Sequence, residues 1–484
     1  MSSSSPFLIN FLSANDCYIF SHFPKLYSLL EKINPETLRI FGGDWCSGSA
    51  QTNFDHGKFL TKLLLKCKFK LFVLGNHEFT GVPRKNLEDN IQLINQNEGI
   101  VLSSNIQGIK GTRPYYITEH RQQEENSKVR IGWLGLCTEH LKELGADVEG
   151  LTITPMIQSA QKWIQEVEER EKVDFFIAIT HAENHKDHQL IKEVPKLKLV
   201  LGGHDHELLF SQLGETLIVK SGSNMEFVSL GCIQVDPINK KLVSTSVEIK
   251  SIANNKNLIP NWNIQQEIEQ EQKIIDKHLQ EEKKKIVFVN KDKKNKEISL
   301  KNCRTEQNEY CGWFCDTIAT KWKVDAMLVN AGLFSDKDLN AFILSRADLL
   351  YEFIRHSTNI FVQIRMTGQD LQDCILFSEK IKKNGKEKTK EFKGGYLQYG
   401  KRIEMNKEHM KIIRVNGKLF NPLTIYSVLV NEKQIKGMNS NPILMKYHSL
   451  GKYPLPISQL AMEAFPIIEI IKENKNEKKL KSKL

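Results

Sequence analysis

The hydrophobic pattern of the first half of the chain alternates short apolar runs with amphipathic segments. A short apolar run between turn residues is typical of a buried strand, whereas apolar residues at helical spacing are typical of an amphipathic helix. The alternation therefore predicts a fold of the α/β class. The predicted strands are Phe7–Leu12, Leu38–Phe41, Lys70–Leu74, Val129–Leu136, Asp174–Thr180 and Leu197–Leu201, and the predicted helices are Phe54–Cys67 and Pro155–Lys172.

A second α/β module is predicted after a polar connector. The segment Trp262–Lys285 is rich in Glu, Gln and Lys, with isoleucines at loose helical spacing, and predicts a connecting helix. The other predicted elements are strands at Val228–Val235, Leu242–Ile249, Lys285–Asn290, Ala326–Asn330 and Phe361–Met366, helices at Asn308–Thr320, Asp348–Arg355 and Leu460–Lys472, and a type I′ hairpin turn at Asn416-Gly417. We expect a domain at residues 1–255, the connecting helix at 256–285, a second domain at 286–470 and a Lys-rich tail at 471–484.

Composition changes this picture little. Hydrophobic residues make up 40% of the 484 residues and charged residues 26%, values of an ordinary globular chain. They exclude a disulfide-stapled mini-protein, a collagen, a wholly disordered chain and a coiled-coil rod. The chain is long enough to bury a sizeable core.

The formal net charge of +10 is concentrated in three lysine-rich runs. Residues 283–296 carry a local +6, and residues 378–393 and 472–484 carry +4 each, so the rest of the chain carries −4. Only two aromatic residues, Phe288 and Phe392, lie within these runs, so they lack the repeated interleaving of aromatic and basic residues that stacks on bases. We therefore expect solvated lysine runs and no nucleic-acid partner.

The termini and cysteines bear on the compartment. The start lacks the basic region and long apolar run of a secretory signal, and no run is long enough to cross a bilayer. Nine cysteines without regular spacing favour reduced thiols. We expect an intracellular, most simply cytoplasmic protein, although Ser482-Lys483-Leu484 also matches the peroxisomal address.

Metal-ligating residue types follow the predicted strands of the first half. Asp16 follows the first strand, Gly42-Gly43-Asp44 the second, Gly75-Asn76-His77-Glu78 the third, His181 a later one and Gly202-Gly203-His204-Asp205-His206 the last. Functional groups in α/β sheets cluster where strands end, and glycines let the backbone turn sharply there. The sequence therefore predicts a metal centre at this edge.

These motifs resemble the calcineurin-like metallophosphoesterases, and more closely their 5′-nucleotidase/UDP-sugar hydrolase branch. The resemblance covers about residues 7–465. It implies an N-terminal four-layer metallophosphoesterase sandwich followed by a C-terminal α/β substrate-binding domain. In the second half it is carried by Gly312–Asp316, Asn330-Ala331-Gly332, Met366-Thr367-Gly368, Gly395-Tyr396-Leu397-Gln398 and Val415-Asn416-Gly417-Lys418.

The resemblance also implies a two-metal hydrolase of small phosphorylated substrates, nucleotides above all. Two divalent ions (Zn, Mn, Fe or Co) would activate a water that attacks phosphorus. The implied residues are Asp44 as the bridging ligand, Asn76, His181 and His204 for one ion, Asp16 and His206 for the other, His77 to steady the phosphoryl oxygens or protonate the leaving oxygen, and Asn330 and Gly332 to bind substrate.

Two positions near the implied metals depart from the family pattern. Where the family has Asp-x-His, the chain has Asp16-Cys17-Tyr18, and a neutral phenol is a poor ligand for a divalent ion. Either one ion is held loosely by Asp16, Asp44 and His206, or Tyr18 only packs. The carboxylate partner expected for the catalytic histidine is replaced by Thr80, whose hydroxyl would fix the tautomer of His77.

The second half departs further. The substrate-holding Arg of the family is replaced by Leu333-Phe334-Ser335-Asp336, and the two base-stacking aromatic positions by His356 and by Gly437–Asn441. Packing is the expected use of Phe334 and Tyr396. A second hypothesis therefore stays open, namely a catalytically degenerate member that acts as a ligand-binding or protein-binding module.

Two further groups of metal-binding residue types are interpreted as structural. His185 and His188 are expected on the surface of the helix that follows His181. Cys311 and Cys315 lie one helical turn apart without a second pair in register, so we expect buried thiols and no zinc site.

Overall fold

The computed structural model describes residues 7–122, 127–141, 146, 148–236, 238–289, 297–339, 343–354, 360–384, 395–406, 408–435, 441–447 and 455–456. The predicted helix Leu460–Lys472, the tail with Ser482-Lys483-Leu484, His356 and residues 437–440 lie outside these residues. The chain divides into two compact units, Met1–Ile275 and Asp276–Leu484.

The first unit is built on two six-stranded sheets. Its strands are β1 (Phe7–Ala14), β2 (Leu38–Phe41), β3 (Leu71–Val73), β4 (Ile100–Leu102), β5 (Ile106–Gln107), β6 (Tyr115–Gln122), β7 (Ser127–Cys137), β8 (Thr152–Ile153), β9 (Phe175–His181), β10 (Leu197–Gly203), β11 (Leu208–Leu213), β12 (Thr216–Ser221), β13 (Phe227–Asp236) and β14 (Lys241–Ser251). Its helices are α1 (Phe23–Leu30), α2 (Ala50–Asp55), α3 (Lys58–Lys66), α4 (Arg84–Gln96), α5 (Met156–Arg170) and α6 (Asn184–Glu193), followed by α7 (Trp262–Lys284), which crosses the boundary between the units.

Parallel pairing aligns the strand ends that carry the candidate ligands. The first sheet has the order β14-β13-β1-β2-β3-β4, with β1 to β4 parallel. The second has the order β11-β12-β10-β9-β7-β6, with β7, β9, β10 and β12 parallel. The carboxyl ends of parallel strands meet at one edge of each sheet, so the loops that follow them can share one site.

The apolar faces of the two sheets pack on each other. Ile40 and Leu71 of the first sheet share a core with Trp133, Ile177 and Leu199 of the second. On the outer face of the second sheet, α5 and α6 pack against β7, β9 and β10. This arrangement confirms the predicted α/β class and the N-terminal sandwich.

One predicted helix of the first unit is broken. The pattern predicts a continuous helix over Phe54–Cys67, but α2 ends at Asp55 and α3 begins at Lys58. His56 and Gly57 have φ of +55° and +78°, a left-handed conformation that ends a helix. The apolar periodicity does not show this break because it follows the buried face alone.

The second unit contains a smaller mixed sheet. Its strands are β15 (Ile286–Val289), β16 (Ala326–Asn330), β17 (Ile343–Ser345), β18 (Ile360–Thr367), β19 (Leu397–Gln398), β20 (Ile403–Asn406), β21 (Lys411–Val415), β22 (Lys418–Leu419), β23 (Ile425–Asn431) and β24 (Leu455–Pro456). Its helices are α8 (Glu309–Lys321), α9 (Gly368–Asn384) and α10 (Glu432–Ile435), with a π-helical segment at Asp348–Phe353. The main sheet has the order β19-β16-β23-β18-β24.

The predicted hairpin turn of the second unit is confirmed. Asn416 and Gly417 join β21 to β22 with φ of +50° and +75°, as a type I′ turn requires. The connecting helix is also confirmed, since α7 covers nearly all of the predicted segment. Among the described residues, no helix is both long and apolar enough to span a membrane.

Candidate metal centre

Loops after five parallel strands of the first unit bring the candidate ligands together. Asp16 follows β1, Asp44 follows β2 and Asn76 follows β3, whereas His181 is the last residue of β9 and His204 follows β10 directly. Asp16 and His181 are fully buried, and Asp44 is 1% exposed. The nearest ligand atoms of these three side chains all lie within 4.8 Å of one another.

One group of ligand atoms surrounds a position beside Asp44. The Asn76 Oδ1 atom lies 3.2 Å from His181 Nε2 and 2.9 Å from His204 Nδ1. His181 Nε2 lies 3.2 Å from Asp44 Oδ2. Separations of this size are those between neighbouring ligands of one ion, and carboxylate, amide and imidazole donors together suit a borderline divalent metal. This group fits a divalent cation.

The second group of ligand atoms includes an unexpected one. Asp16 Oδ1 lies 3.3 Å from His206 Nε2 and 3.8 Å from His181 Nε2. The hydroxyl of Tyr18 lies 2.9 Å from Asp44 Oδ2, 3.2 Å from Asp16 Oδ1 and 2.9 Å from His206 Nε2. Of the two alternatives for Tyr18, packing alone does not describe it, because its hydroxyl contacts three candidate ligands.

The charges at the centre favour a cation. Burial alone would raise the pKa of Asp44, but the His181 and His77 imidazoles hold that pKa well below its usual range. Burial opposes a charge on His181, yet the Asp44 and Asp16 carboxylates raise its pKa to about 10. Burial, with the same two carboxylates, raises the pKa of Tyr18 far above its usual value. The carboxylates thus favour positive charge here, and a divalent ion supplies more of it than a proton.

His77 is oriented by Ser47, not by Thr80. The Thr80 hydroxyl donates to the carbonyl oxygen of Asn76, so it does not face the imidazole as the sequence predicted. Ser47 Oγ lies 3.2 Å from His77 Nδ1 and within 2.8 Å of the carbonyl oxygens of His77 and Thr80. Because the carbonyls only accept, the single hydroxyl proton goes to one of them and Oγ accepts from Nδ1–H. The other ring nitrogen, Nε2, is thereby left to face the centre, 4.0 Å from Asp44 Oδ2.

Glu78 is a site residue that the sequence motifs did not single out. Its fully buried carboxylate accepts from the backbone N–H groups of Asp44, Trp45, Cys46 and Gly75. Burial and then the charge of Asp44 raise its pKa to about 7, while these four donors act in the opposite direction. It joins the loops after β2 and β3. Its place in Gly75-Asn76-His77-Glu78 was the available signal.

Lys220 is a second residue that sequence reasoning missed. It is 1% exposed, in strand β12, all of whose residues are buried. Its ammonium lies 2.6 Å from the Ala182 carbonyl oxygen, 2.6 Å from Asp205 Oδ2 and 3.0 Å from Asp187 Oδ2. Ala182 follows His181, and Asp205 separates His204 from His206. Lys220 therefore ties together the two loops that carry the histidine ligands.

The second unit places the predicted substrate residues at the end of β16. Asn330 is 2% exposed, its Oδ1 atom lies 3.4 Å from Asn431 Nδ2, and Gly332 lies in the short turn that follows. Phe334 and Tyr396 are 0% and 2% exposed, so both pack in the interior as predicted.

The remaining histidines and cysteines of interest lie on helices α6 and α8. His185 is exposed on α6, and His188 on the same helix contacts Ser211 Oγ through Nε2 at 2.9 Å. Cys311 and Cys315 are both fully buried on α8.

Comparisons with known proteins agree with this geometry. Residues 9–208 match the family model of the calcineurin-like phosphoesterases. A 5′-nucleotidase of Vibrio cholerae is 26% identical over 210 residues, which cover 40% of this chain and 36% of that protein. The matched segments span 6% to 36% of the length of three curated relatives.

Solved structures extend the likeness to the whole chain. A 5′-nucleotidase precursor from Thermus thermophilus superposes with a TM-score of 0.61 at 16% identity, covering 95% of this chain and 96% of that one. A candidate 5′-nucleotidase from Staphylococcus aureus gives a TM-score of 0.65 at 15% identity, covering 94% and 96%. Residues 9–208 therefore match the calcineurin-like phosphoesterase family, and the chain as a whole has the fold of these two solved structures.

Proposed function

We propose that this chain is a metal-dependent phosphoric ester hydrolase that acts on a small phosphorylated metabolite, with nucleotides as the first class to test. The observation that carries the proposal is the convergence of Asp44, Asn76, His181 and His204. Successive ligand atoms along the series Asp44, His181, Asn76, His204 lie 2.9–3.2 Å apart. A divalent ion bound there would polarise a phosphoryl oxygen and make a coordinated water more acidic.

Other side chains position the ligand loops and the leaving group. Glu78 and Lys220 hold the ligand loops in place through hydrogen bonds. His77 receives a fixed orientation from Ser47, and 30% of its side chain is exposed. In the imidazolium form, its Nε2–H could donate to a phosphoryl or leaving-group oxygen that arrives beside Asp44, which is the role of a general acid.

The nucleotide part of the proposal is supported by likeness to proteins described as 5′-nucleotidases. The same likeness supports Asn330 and Gly332 as substrate contacts in the second unit. Phosphomonoesters share the same phosphate group, so selectivity for a nucleoside depends on residues outside the metal centre. A substrate panel therefore has to vary the leaving group and keep the phosphate constant.

The experiment is a phosphomonoester and nucleotide panel with protein loaded with Mn²⁺, Zn²⁺, Co²⁺ or Mg²⁺. We expect turnover that falls at least about 100-fold in Asp44→Asn and in His204→Ala, since each removes a ligand. His185→Ala, an exposed histidine of α6, is the matched control and should retain full activity. Activity that survives in both ligand variants belongs to a contaminant and overturns the proposal.

A second candidate function is binding without turnover. It is favoured by the burial of Phe334 and Tyr396, which leaves neither ring free to stack on a base, and by the absence of an Arg from Leu333-Phe334-Ser335-Asp336. Metal-loaded protein that binds a nucleotide in calorimetry but releases no phosphate would favour this binding module over the hydrolase.

We also propose a reducing, intracellular location. All nine cysteines lie in the described part of the chain and all are free thiols, eight of them buried. Unpaired cysteines are usual where the glutathione pool keeps thiols reduced. A fluorescent fusion with the C-terminus left free should give a cytoplasmic signal, and a secreted protein would contradict the proposal.

A further inference from the structure

The hydroxyl of Tyr18 already satisfies the ligand atoms of the second position. An ionised carboxylate only accepts, so the phenol proton points to Asp44 Oδ2 at 2.9 Å or to Asp16 Oδ1 at 3.2 Å. The phenol oxygen then accepts from the His206 Nε2–H at 2.9 Å. His206 thus uses, within the protein, the nitrogen that it would otherwise offer to an ion.

The two positions differ in donor chemistry. Beside Asp44, the first position is completed by an amide and two imidazoles, from Asn76, His181 and His204. At the second position a neutral phenol stands where an imidazole would complete the set. A neutral phenol is a poor ligand for a divalent ion, so Asp16, Asp44 and His206 without a second imidazole make a weaker site.

The phenol is held in place. The Tyr18 backbone N–H donates to Asn224 Oδ1 at 3.0 Å, and its carbonyl oxygen accepts from Ser49 Oγ at 2.6 Å. The ring lies so close to Gly48 that a Cβ there would fall 2.6 Å from it. Because Tyr18 is only 8% exposed, its ring has no open space into which it could swing when an ion arrives.

We propose that Tyr18 makes the two positions unequal, so that the chain binds one divalent ion, at Asp44, Asn76, His181 and His204, and the hydrogen-bonded group of Asp16, Tyr18 and His206 holds no second one. The assignment of the single ion to the position beside Asp44 rests on the proposed function. Stabilisation of the leaving group then depends on the side chain of His77 more than in a two-ion site.

The test counts metal ions and does not depend on turnover. Protein is loaded with Mn²⁺, dialysed, analysed for metal per chain and examined by electron paramagnetic resonance. The wild-type chain should hold one equivalent with the spectrum of an isolated ion. Tyr18→His should hold two equivalents with a spin-coupled spectrum. Tyr27→His, at a half-buried tyrosine of α1, adds a histidine elsewhere and should still hold one.

Two equivalents in the wild-type chain would overturn the inference, and so would a single equivalent in a Tyr18→His variant with native circular dichroism. A visible phenolate-to-iron absorption band after ferric loading would also overturn it, because Tyr18 would then be a ligand. If Tyr18→His does not fold, the wild-type count still decides between one ion and two. If no variant binds Mn²⁺, the result contradicts the proposed function itself, and not only the inference that a single ion binds.

Discussion

At the scale of single residues, four candidate ligands have backbone angles that side chains rarely adopt. The φ angle is +51° at Asp16, +64° at Asp44, +89° at His204 and +60° at His206. The left-handed region costs a residue with a Cβ roughly 1–2 kcal/mol, and it persists where the surrounding structure holds it. Residue order predicted that these side chains would meet. It did not predict these turns, because strain leaves no mark on hydrophobic spacing.

The glycine beside Asp44 gives the first residue-scale prediction. Gly43 has φ +88°, and a Cβ there would lie 2.6 Å from His181 Nδ1 and 2.9 Å from the Gly75 nitrogen. We expect Gly43→Ala to weaken Mn²⁺ binding at least about 10-fold, because His181 must move. Gly81→Ala is the matched control, since Gly81 has φ +81° with nothing within 4 Å of its Cβ. It should lose about 1 kcal/mol of stability and keep its metal affinity.

Calorimetric titration of both glycine variants with Mn²⁺ measures the difference. Equal affinity in Gly43→Ala and Gly81→Ala would show that the approach of His181 to Gly43 does not matter for the ion.

The orientation of His77 gives the second residue-scale prediction. Ser47→Ala removes the oxygen that accepts from Nδ1–H, so the imidazole loses its fixed tautomer. We expect kcat to fall about 10-fold with little change in KM, together with an altered pH profile of kcat. Thr80→Val removes a hydroxyl that bonds only the Asn76 carbonyl oxygen and should leave that profile unchanged. A larger change of kcat and of its pH profile in Thr80→Val than in Ser47→Ala would show that Thr80 orients His77.

At the scale of elements, Lys220 connects two strand ends through a buried charge. The ammonium on β12 bonds the loop after β9 through Ala182 and the loop after β10 through Asp205. Its second carboxylate partner, Asp187 on α6, is fully buried, and burial raises the pKa of this carboxyl. Removing one partner of a buried ion pair leaves an uncompensated charge and is more damaging than losing an exposed pair.

Substitution of this lysine gives the element-scale prediction. Lys220→Met should destabilise the protein by about 3–5 kcal/mol and weaken Mn²⁺ binding as well, since both histidine loops lose an anchor. Lys220→Met combined with Asp187→Asn should recover part of the stability but not the affinity. The control is Lys198→Met on neighbouring β10, whose partner Glu215 is 85% exposed, and it should change stability by at most about 1 kcal/mol. Urea unfolding and metal titration separate the two effects, and unchanged affinity in Lys220→Met would refute the anchoring role.

Elements also mark where sequence reasoning succeeded. The runs that became β2 and β9 were recognisable because buried parallel strands are almost continuously apolar. Lys220 was not recognisable, because a single lysine in Thr216–Ser221 resembles an edge-strand charge until the sheet order places β12 inside the second sheet. Ser47 was missed for a similar reason: it comes near His77 through the fold, 30 residues away in sequence.

At the scale of the whole molecule, the two sets of candidate site residues lie in different units of the chain. All the candidate metal ligands lie in the unit Met1–Ile275, and the candidate substrate residues Asn330 and Gly332 lie in Asp276–Leu484. The fold class was predictable from sequence because strand and helix periodicities alternate through both halves. Residues that would select a substrate were not, since the aromatic and arginine positions of the family pattern carry other residues here.

Because all the candidate ligands lie in the first unit, we expect a bound ion to change hydrogen-exchange rates in that unit. Hydrogen exchange with and without Mn²⁺ should show slower exchange in the loops after β1, β2, β9 and β10, because a ligand that binds only the native state opposes local opening. Amides of β18 and β23 in the second unit should be unaffected. Protection spread equally over both units, or none in the four loops, would place the ion elsewhere.

The buried carboxylate of Glu78 bears on the order of events during biosynthesis. Many small metal sites take shape only when the ion arrives, so that metal capture drives folding. Here the Glu78 carboxylate, which is part of the chain, already accepts hydrogen bonds from the backbone N–H groups of Gly75, Asp44, Trp45 and Cys46. We therefore expect the nascent protein to complete its fold first and to collect a metal afterwards, so that its maturation needs the cell's metal supply for activity and not for folding.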